Sequence, residues 1–100
     1  MGGRPGRQVK YIRQMAEEFG ISLPNSDDLY ALQTALRTEI AKRLKDITVH
    51  RRVRFRGSLW IVKDIKSAPA GRQGVIYALG AVKGAGRVEV SETVLLRGMQ

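Results

Sequence analysis

A chain of 100 residues is long enough to form one small domain around a modest core. Eighteen Lys and Arg against nine Asp and Glu give a formal net charge of +9, a balance that favours anionic partners. The chain contains no cysteine, which excludes disulfides, thiolate metal sites and thiol nucleophiles.

Residues 1–7 are rich in Gly, Pro and Arg, a composition typical of an extended basic arm. Arg4 and Arg7 belong to this arm, and no acidic residue precedes Glu17. Such an arm can follow a phosphate backbone or an acidic groove, and a solvated tail is the alternative.

Residues 8–45 have the apolar period of two helices. Gly20 supplies the left-handed residue expected where the first helix ends, and Ile21 can close over it. Asn25 or Ser26 can cap the second helix, whose start also carries Asp27 and Asp28. The two apolar stripes are Val9, Ile12, Ala16 and Phe19, and then Leu29, Leu32, Leu36, Ile40 and Leu44. We expect a helical hairpin whose apolar faces meet each other or the part that follows.

From Ile47 the apolar period becomes alternating, which predicts four or five short strands within residues 46–100. In the first strand, one face carries Ile47, Val49, Val53 and Phe55, and the other carries Thr48, His50, Arg52, Arg54 and Arg56. Arg51 interrupts the apolar side, which indicates either a bulge or an exposed strand end. A tight turn is expected at Gly57-Ser58, and further strands are expected from residue 59, over 75–82 and over 87–90. The chain then forms one helical turn at 91–93 and a last short strand over 94–97.

The second half of the chain resembles an SH3-like small barrel of the kind found in KOW modules. The residues that carry the resemblance are VRFRG at 53–57, LWIVKDI at 59–65, YAL at 77–79 and VEVSETVL at 88–95. It implies a fold rather than a function, since such barrels bind RNA, DNA and peptides and also serve as connector and cement subunits of tailed phages. The expected fold class is α+β, with a helical hairpin joined near Asp46 to an SH3-like antiparallel barrel of four to five strands in one compact unit.

The run from His50 to Arg56 is the most informative feature for function. In a regular strand, Arg52, Arg54 and Arg56 project from one face about 7 Å apart, close to the spacing of successive phosphates on a nucleic-acid strand. The planar fork of Arg suits bidentate phosphate contacts. Other cations expected around this track are Arg51, Lys63, Lys66, Arg72, Lys83, Arg4 and Arg7. The alternatives are an edge strand charged against aggregation, and docking onto acidic side chains of a neighbouring subunit.

Residues suited to catalysis are sparse. His50 is the one histidine, and the adjacent acidic pairs Glu17-Glu18 and Asp27-Asp28 are explained by a helix face and a helix start. The sequence Gly84-Ala85-Gly86 lacks the residues of a nucleotide-binding loop and is better explained as a hairpin turn. We therefore expect no enzyme activity, metal or cofactor.

Trp60 and Tyr77 are the aromatic residues that could stack on bases, and a place in the core is the alternative for Trp60, which lies in an apolar strand.

The leading functional hypothesis is non-enzymatic binding of DNA or RNA through phosphates, without base specificity. The alternative is a structural subunit of a phage or virus particle (a head–tail connector, adaptor or capsid cement protein) that binds neighbours through its arm and helices. No apolar run reaches the roughly 18 residues that span a bilayer, and the N-terminus lacks the apolar stretch of a secretory signal. We expect a cytoplasmic protein, or a virion protein under the alternative, with no membrane partner and with self-association allowed.

Overall fold

The computed structural model describes residues 3–70 and 74–100, with side chains described from Gln8 onward in the first helix. The fold is α+β, with two helices followed by a four-stranded antiparallel sheet and a C-terminal helix. The elements are α1 (Gly3–Phe19), α2 (Leu29–Leu44), β1 (Arg52–Phe55), β2 (Ser58–Ser67), β3 (Val75–Ala81), β4 (Arg87–Ser91) and α3 (Glu92–Met99). The chain divides into two compact units, Met1–Arg43 and Leu44–Gln100.

The first helix starts earlier than the sequence predicted. It begins at Gly3 rather than Gln8, so the extended arm is wrong for residues 3–7, and residues 1 and 2 lie outside the described residues. Pro5 does not interrupt the helix because it falls in the first turn, where backbone amides have no intrahelical acceptor.

The connection between α1 and α2 is held by defined hydrogen bonds. As predicted, Gly20 ends α1 with a φ of 68°, and the Ile21 amide donates to the Ala16 carbonyl at 2.8 Å. The cap of α2 differs from the prediction, because the Asp28 carboxylate, and not Asn25 or Ser26, accepts from the Tyr30 amide at 3.1 Å.

Two arginines tie the helices to this connection. Arg13 of α1 donates to the Ser26 carbonyl at 2.5 Å and pairs with Asp27 at 3.4 Å. Arg43, near the end of α2, donates to the carbonyls of Phe19 and Gly20, so the C-terminal ends of the two helices lie together.

The sheet is a meander in the order β1-β2-β3-β4, in which every neighbouring pair is antiparallel. It is not closed into a barrel. The closing strand predicted over residues 94–97 is wrong because α3 occupies this segment. The Ser91 hydroxyl accepts from the Val94 amide at 3.4 Å and caps the helix, and Leu95 and Leu96 are buried on its inner side.

A β-bulge in β2 keeps apolar side chains on the inner face of the sheet and charged side chains on the outer face. The register shifts between Val62 and Asp64, so Val62 lies opposite Leu79 and Ile65 lies opposite Tyr77. Two consecutive polar residues, Lys63 and Asp64, therefore share the outer face, while the apolar residues on either side of them share the inner one. Arg51 is an exposed residue just before β1, as one of the two predicted alternatives had it, and the chain is irregular there: the His50 amide donates to the Val62 carbonyl at 2.7 Å while the Val62 amide donates to the Arg51 carbonyl at 2.9 Å, so two residues lie opposite one.

The inner face of the sheet packs against α3 through a close approach at Gly98. The Phe55 ring occupies the space that a side chain at Gly98 would need, and the Arg56 amide donates to the Gly98 carbonyl at 2.8 Å. The least exposed large side chains of this unit, Phe55, Val62, Leu79 and Leu95, form the core around this contact.

This contact predicts that Gly98→Ala lowers the free energy of unfolding by about 1–3 kcal/mol, because the new methyl group overlaps the Phe55 ring. Helix propensity alone acts in the opposite direction, since Ala is favoured over Gly in a helix by about 1 kcal/mol. Urea denaturation followed by circular dichroism measures the change. In a Phe55→Leu background the same substitution should cost less, and an equal or greater stability of Gly98→Ala in the native background would refute the contact.

Candidate nucleic-acid interface

The outer face of the sheet carries a transverse row of residues that begins and ends with arginine. Arg52 lies opposite Ile61, Ile61 opposite Gly80, and Gly80 opposite Arg87, so the row crosses all four strands. Because directly opposed residues point to the same side of a sheet, both arginines project from the outer face.

The side chain of Lys63 also lies at this row, in the space left because Gly80 has no side chain. A Cβ at Gly80 would lie 2.8 Å from Cε of Lys63 and 3.2 Å from its Cγ, so the aliphatic stem of Lys63 lies across the glycine. The stem covers the backbone while its exposed ammonium group reaches solvent. Lys63 and Arg87 also flank a depression of about 320 Å³ on this face.

A second row lies next to the first, at the end of the sheet formed by the β1–β2 and β3–β4 turns. Arg54 lies opposite Leu59, and the Val82 amide donates to the Leu59 carbonyl at 3.2 Å. Lys83 follows directly in the β3–β4 turn. We call the cations of both rows the cationic end; they are Arg52, Arg54, Lys63, Lys83 and Arg87.

The side chains of the cationic end are exposed, and within residues 3–70 and 74–100 none of them forms an ion pair or a hydrogen bond. The acidic residues of the outer face, Asp64 and Glu89, lie in the adjacent row, each opposite Ala78. Glu89 is already paired with Lys66 at 2.7 Å. The outer face is thus divided into an end with free positive charge and an end where acidic and basic groups are mixed.

The predicted track of three arginines on one face is wrong. Arg52 and Arg54 share the outer face, but Arg56 and Gly57 form a two-residue hairpin turn with φ values of 51° and 80°. The turn directs Arg56 back over the Phe55 ring, with its guanidinium carbon 4.9 Å from the ring centroid. The turn was expected one residue later, at Gly57-Ser58.

The segment before β1 also differs from the predicted strand. Residues 47–51 form a turn in which the Arg51 amide donates to the Thr48 carbonyl at 3.0 Å. His50 has a φ of 76°, so it and Thr48 do not extend the arginine face of β1. Arg51 is exposed just outside the strand.

The other predicted cations fall into separate groups. Lys63 and Lys83 belong to the cationic end, but Lys66 does not, because it is paired with Glu89. The hydrogen bond that Lys66 donates to the Glu89 carboxylate, and then the negative charge of Glu89, raise the pKa of Lys66. Arg72 lies outside the described residues, and Arg4 and Arg7 lie in the helical part of α1 where only the backbone is described.

Arg87 is the residue of this site that sequence reasoning missed. In β4 the valines at 88 and 90 are less exposed than their neighbours Arg87 and Glu89. That alternation was visible in the sequence. What the sequence did not show is that β4 pairs with β3 so as to bring Arg87 into one row with Arg52.

The two candidate stacking aromatics have different environments. Tyr77 is 5% exposed on the inner face, so it is a core residue and is not available to stack on a base. Trp60 is half-buried, and its indole N–H donates to the Phe55 carbonyl at 3.2 Å.

Within the part of the chain that the structure describes, no three His, Asp or Glu side chains come close enough together to hold a metal ion. Among the same residues, no helix is both long and apolar enough to cross a membrane. Comparison with protein-family models, with curated proteins and with solved structures found no match for this chain.

The burial of Tyr77 predicts a pH dependence of stability. Burial, and then the negative charge of Glu92, raise the pKa of the Tyr77 phenol above its ordinary value of 10.0. Above that value the phenol ionises in the unfolded chain while it stays protonated in the folded one, so the unfolded state binds fewer protons. The stabilisation from the neutral phenol is complete below pH 10.0 and is lost as the pH rises through the raised folded value.

Urea denaturation of the native protein and of Tyr77→Phe, at pH values below and above 10.0, measures this effect. We expect the native protein to lose stability relative to the variant only at the higher pH. Parallel pH profiles for the two proteins would show that the phenol has the same pKa in both states.

Proposed function

We propose that the protein is a non-enzymatic module that binds nucleic acid through its phosphates, without reading base sequence. The observation that carries the proposal is the cationic end, where exposed Arg and Lys side chains have no acidic partner among the described residues. A cluster of like charges is unfavourable by itself, and a polyanion relieves its repulsion while releasing condensed counterions.

The dimensions of the cationic end suit several phosphates. Arg52 and Arg54 are two positions apart along β1, or about 7 Å, while Arg87 lies three strand spacings from them, or about 14 Å. The charges therefore form a patch rather than a single line. The arginines on the edge strands β1 and β4 can each donate two hydrogen bonds to a phosphate, and Lys63 provides a positive charge between them.

The width of the sheet favours phosphate contacts over base reading. A major groove is about 12 Å wide and admits an α-helix or a two-stranded ribbon. The outer face spans four strands, with about 14 Å between the axes of its edge strands, so it is too wide to enter the groove. Side chains on this face would meet the backbone of the nucleic acid, which carries no sequence information directly.

The more detailed fold assignment is part of the same proposal. A four-stranded antiparallel meander is compatible with an SH3-like barrel of the KOW type, in which α3 would cover the end left open between β1 and β4. Since such barrels bind RNA and DNA, the assignment is consistent with the function argued from the charges.

The proposal is tested by removing the three arginines of the outer face and comparing the result with a control variant of the same net charge. The site variant carries Arg52→Gln, Arg54→Gln and Arg87→Gln, and the control carries Lys10→Gln, Lys45→Gln and Lys66→Gln. Both sets are exposed, and the two variants have the same net charge. Anisotropy of labelled single- and double-stranded oligonucleotides, titrated over a range of salt concentrations, measures affinity and its salt dependence.

We expect the site variant to bind more weakly and to reduce the magnitude of the slope of log K against log salt by about 2–3, because three phosphate contacts are lost. The control should retain most of the native slope. Equal weakening in both variants would show that overall charge, and not this face, causes binding. No binding by the native protein would refute the proposal and direct attention to the alternative of a virion structural subunit.

A further inference from the structure

We infer that Lys63 and Arg87 together bind one phosphodiester of the nucleic acid, beside Gly80, and that Gly80 is a positioning residue for this site. The inference rests on the proposed function, since it names the place on the outer face where a single phosphate is held by two cations. It also assigns a role in binding to a residue that has no side chain.

The stem of Lys63 lies across β3 because Gly80 has no side chain. Three carbons of the stem surround the point where a Cβ of Gly80 would be, with Cε at 2.8 Å, Cγ at 3.2 Å and Cδ at 3.6 Å. A contact along the stem, rather than at its tip alone, fixes the direction of the side chain. The ammonium group, bonded to Cε, is therefore directed from β2 over β3, away from β1 and toward β4.

Arg87 lies where its side chain can reach the same point. It is paired directly with Gly80, and the Cβ positions of directly opposed residues are about 4.5–5.5 Å apart. Lys63 and Arg87 line the same depression of about 320 Å³. Among the residues that the structure describes, neither side chain has an ion-pair or hydrogen-bond partner. Two unpaired cations thus converge on one small space.

The floor of the depression is formed by main chain and a small side chain. Ala78 is the next outer-face residue of β3 after Gly80. Leu79 and Val88 lie opposite each other, and the pairing of Leu79 with the buried Val62 turns both to the inner face, so they contribute main chain to the lining. The floor is therefore low, and a group of the size of a phosphate can lie between the two cations.

The last residue of the lining, Glu89, does not neutralise these cations. Its carboxylate is paired at 2.7 Å with Lys66, which lies in the row on the other side of Glu89 from Arg87. The depression thus has two free positive charges at one end and a compensated negative charge at the other. Its occupant is an anion, and the several oxygens of a phosphate accept from the fork of Arg and the ammonium of Lys at once.

The position of the site in its row indicates a phosphodiester within a strand rather than a terminal phosphate. The row continues from Gly80 through Ile61 to Arg52, about 14 Å from Arg87, which is about two spacings of successive phosphates. A nucleic-acid strand that crosses the sheet along this row would place one phosphate beside Gly80 and another at Arg52.

The role of Gly80 allows a test that changes no charge. Gly80→Ala puts a methyl group where the flexible stem of Lys63 lies, and Gly80 does not have a positive φ, so the variant can fold with Lys63 displaced. Gly86→Ala is the matched control, because its Cβ would meet Ala81 and Trp60 at ordinary distances of 3.6 and 3.7 Å. Urea denaturation checks that both variants are folded. Anisotropy of a 3′-labelled single strand and of its duplex, each with and without a 5′ phosphate, measures affinity.

We expect Gly80→Ala to weaken binding about three- to tenfold, because the Lys63 ammonium no longer reaches the phosphate. In a Lys63→Gln background the same substitution should change affinity less than about twofold. Its effect should also differ in an Arg87→Gln background but stay the same in Arg52→Gln, because only Arg87 shares the phosphate. Gly86→Ala should bind like the native protein.

Unchanged binding by Gly80→Ala, or an effect that persists in the Lys63→Gln background, would overturn the positioning role and leave phosphate binding intact. Equal effects of Gly80→Ala in the Arg87→Gln and Arg52→Gln backgrounds would overturn the shared phosphate. Affinity that rises more than about tenfold with a 5′ phosphate would overturn the assignment to a phosphodiester in favour of a terminal phosphate. Failure of the native protein to bind either ligand would refute the proposed function itself.

Discussion

The β-bulge at Lys63 and Asp64 is the constraint on which the rest of the C-terminal unit depends. A strand of ten residues that alternated without interruption would turn Asp64 toward the inner face and Ile65 toward solvent. The register shift corrects this, because it places Ile65 opposite Tyr77 while Val62 stays opposite Leu79. One local irregularity thus keeps the inner face apolar from Trp60 through Val62 to Ile65, and α3 can pack on this side of the sheet.

The same register determines where charge accumulates on the outer face. On one side of the bulge, pairing aligns Arg52 with Arg87 across the sheet and leaves Gly80 between them for the stem of Lys63. On the other side it brings Lys66 within reach of Glu89. The separation of free from paired cations is therefore a consequence of strand pairing, and it is the physical basis of the proposed interface. Net charge alone would not distinguish these two ends of the sheet.

The sequence predicted those features that depend on local patterns. The spacing of apolar residues predicted the α+β class and the two N-terminal helices, and Gly20 predicted where α1 ends. Features that depend on long-range strand pairing could not be predicted. The alternating pattern assigned Arg56 to a strand, but the pairing of β1 with β2 leaves it in the turn. Nothing local to Arg87 indicated that the pairing of β4 with β3 brings it into one row with Arg52. Residues 94–97 are apolar enough for a strand or a helix, and the Ser91 cap decides for the helix.

The central claim is that nucleic acid binds at the cationic end of the sheet, and amide chemical-shift mapping tests it most directly. A single-stranded oligonucleotide would be titrated into ¹⁵N-labelled protein, and the shifted amides would be located in the structure. The account predicts the largest changes in the strands and turns that carry Arg52, Arg54, Lys63 and Arg87, with small changes around Lys66. Changes concentrated in residues 8–43, or spread evenly over all exposed cations, would contradict it.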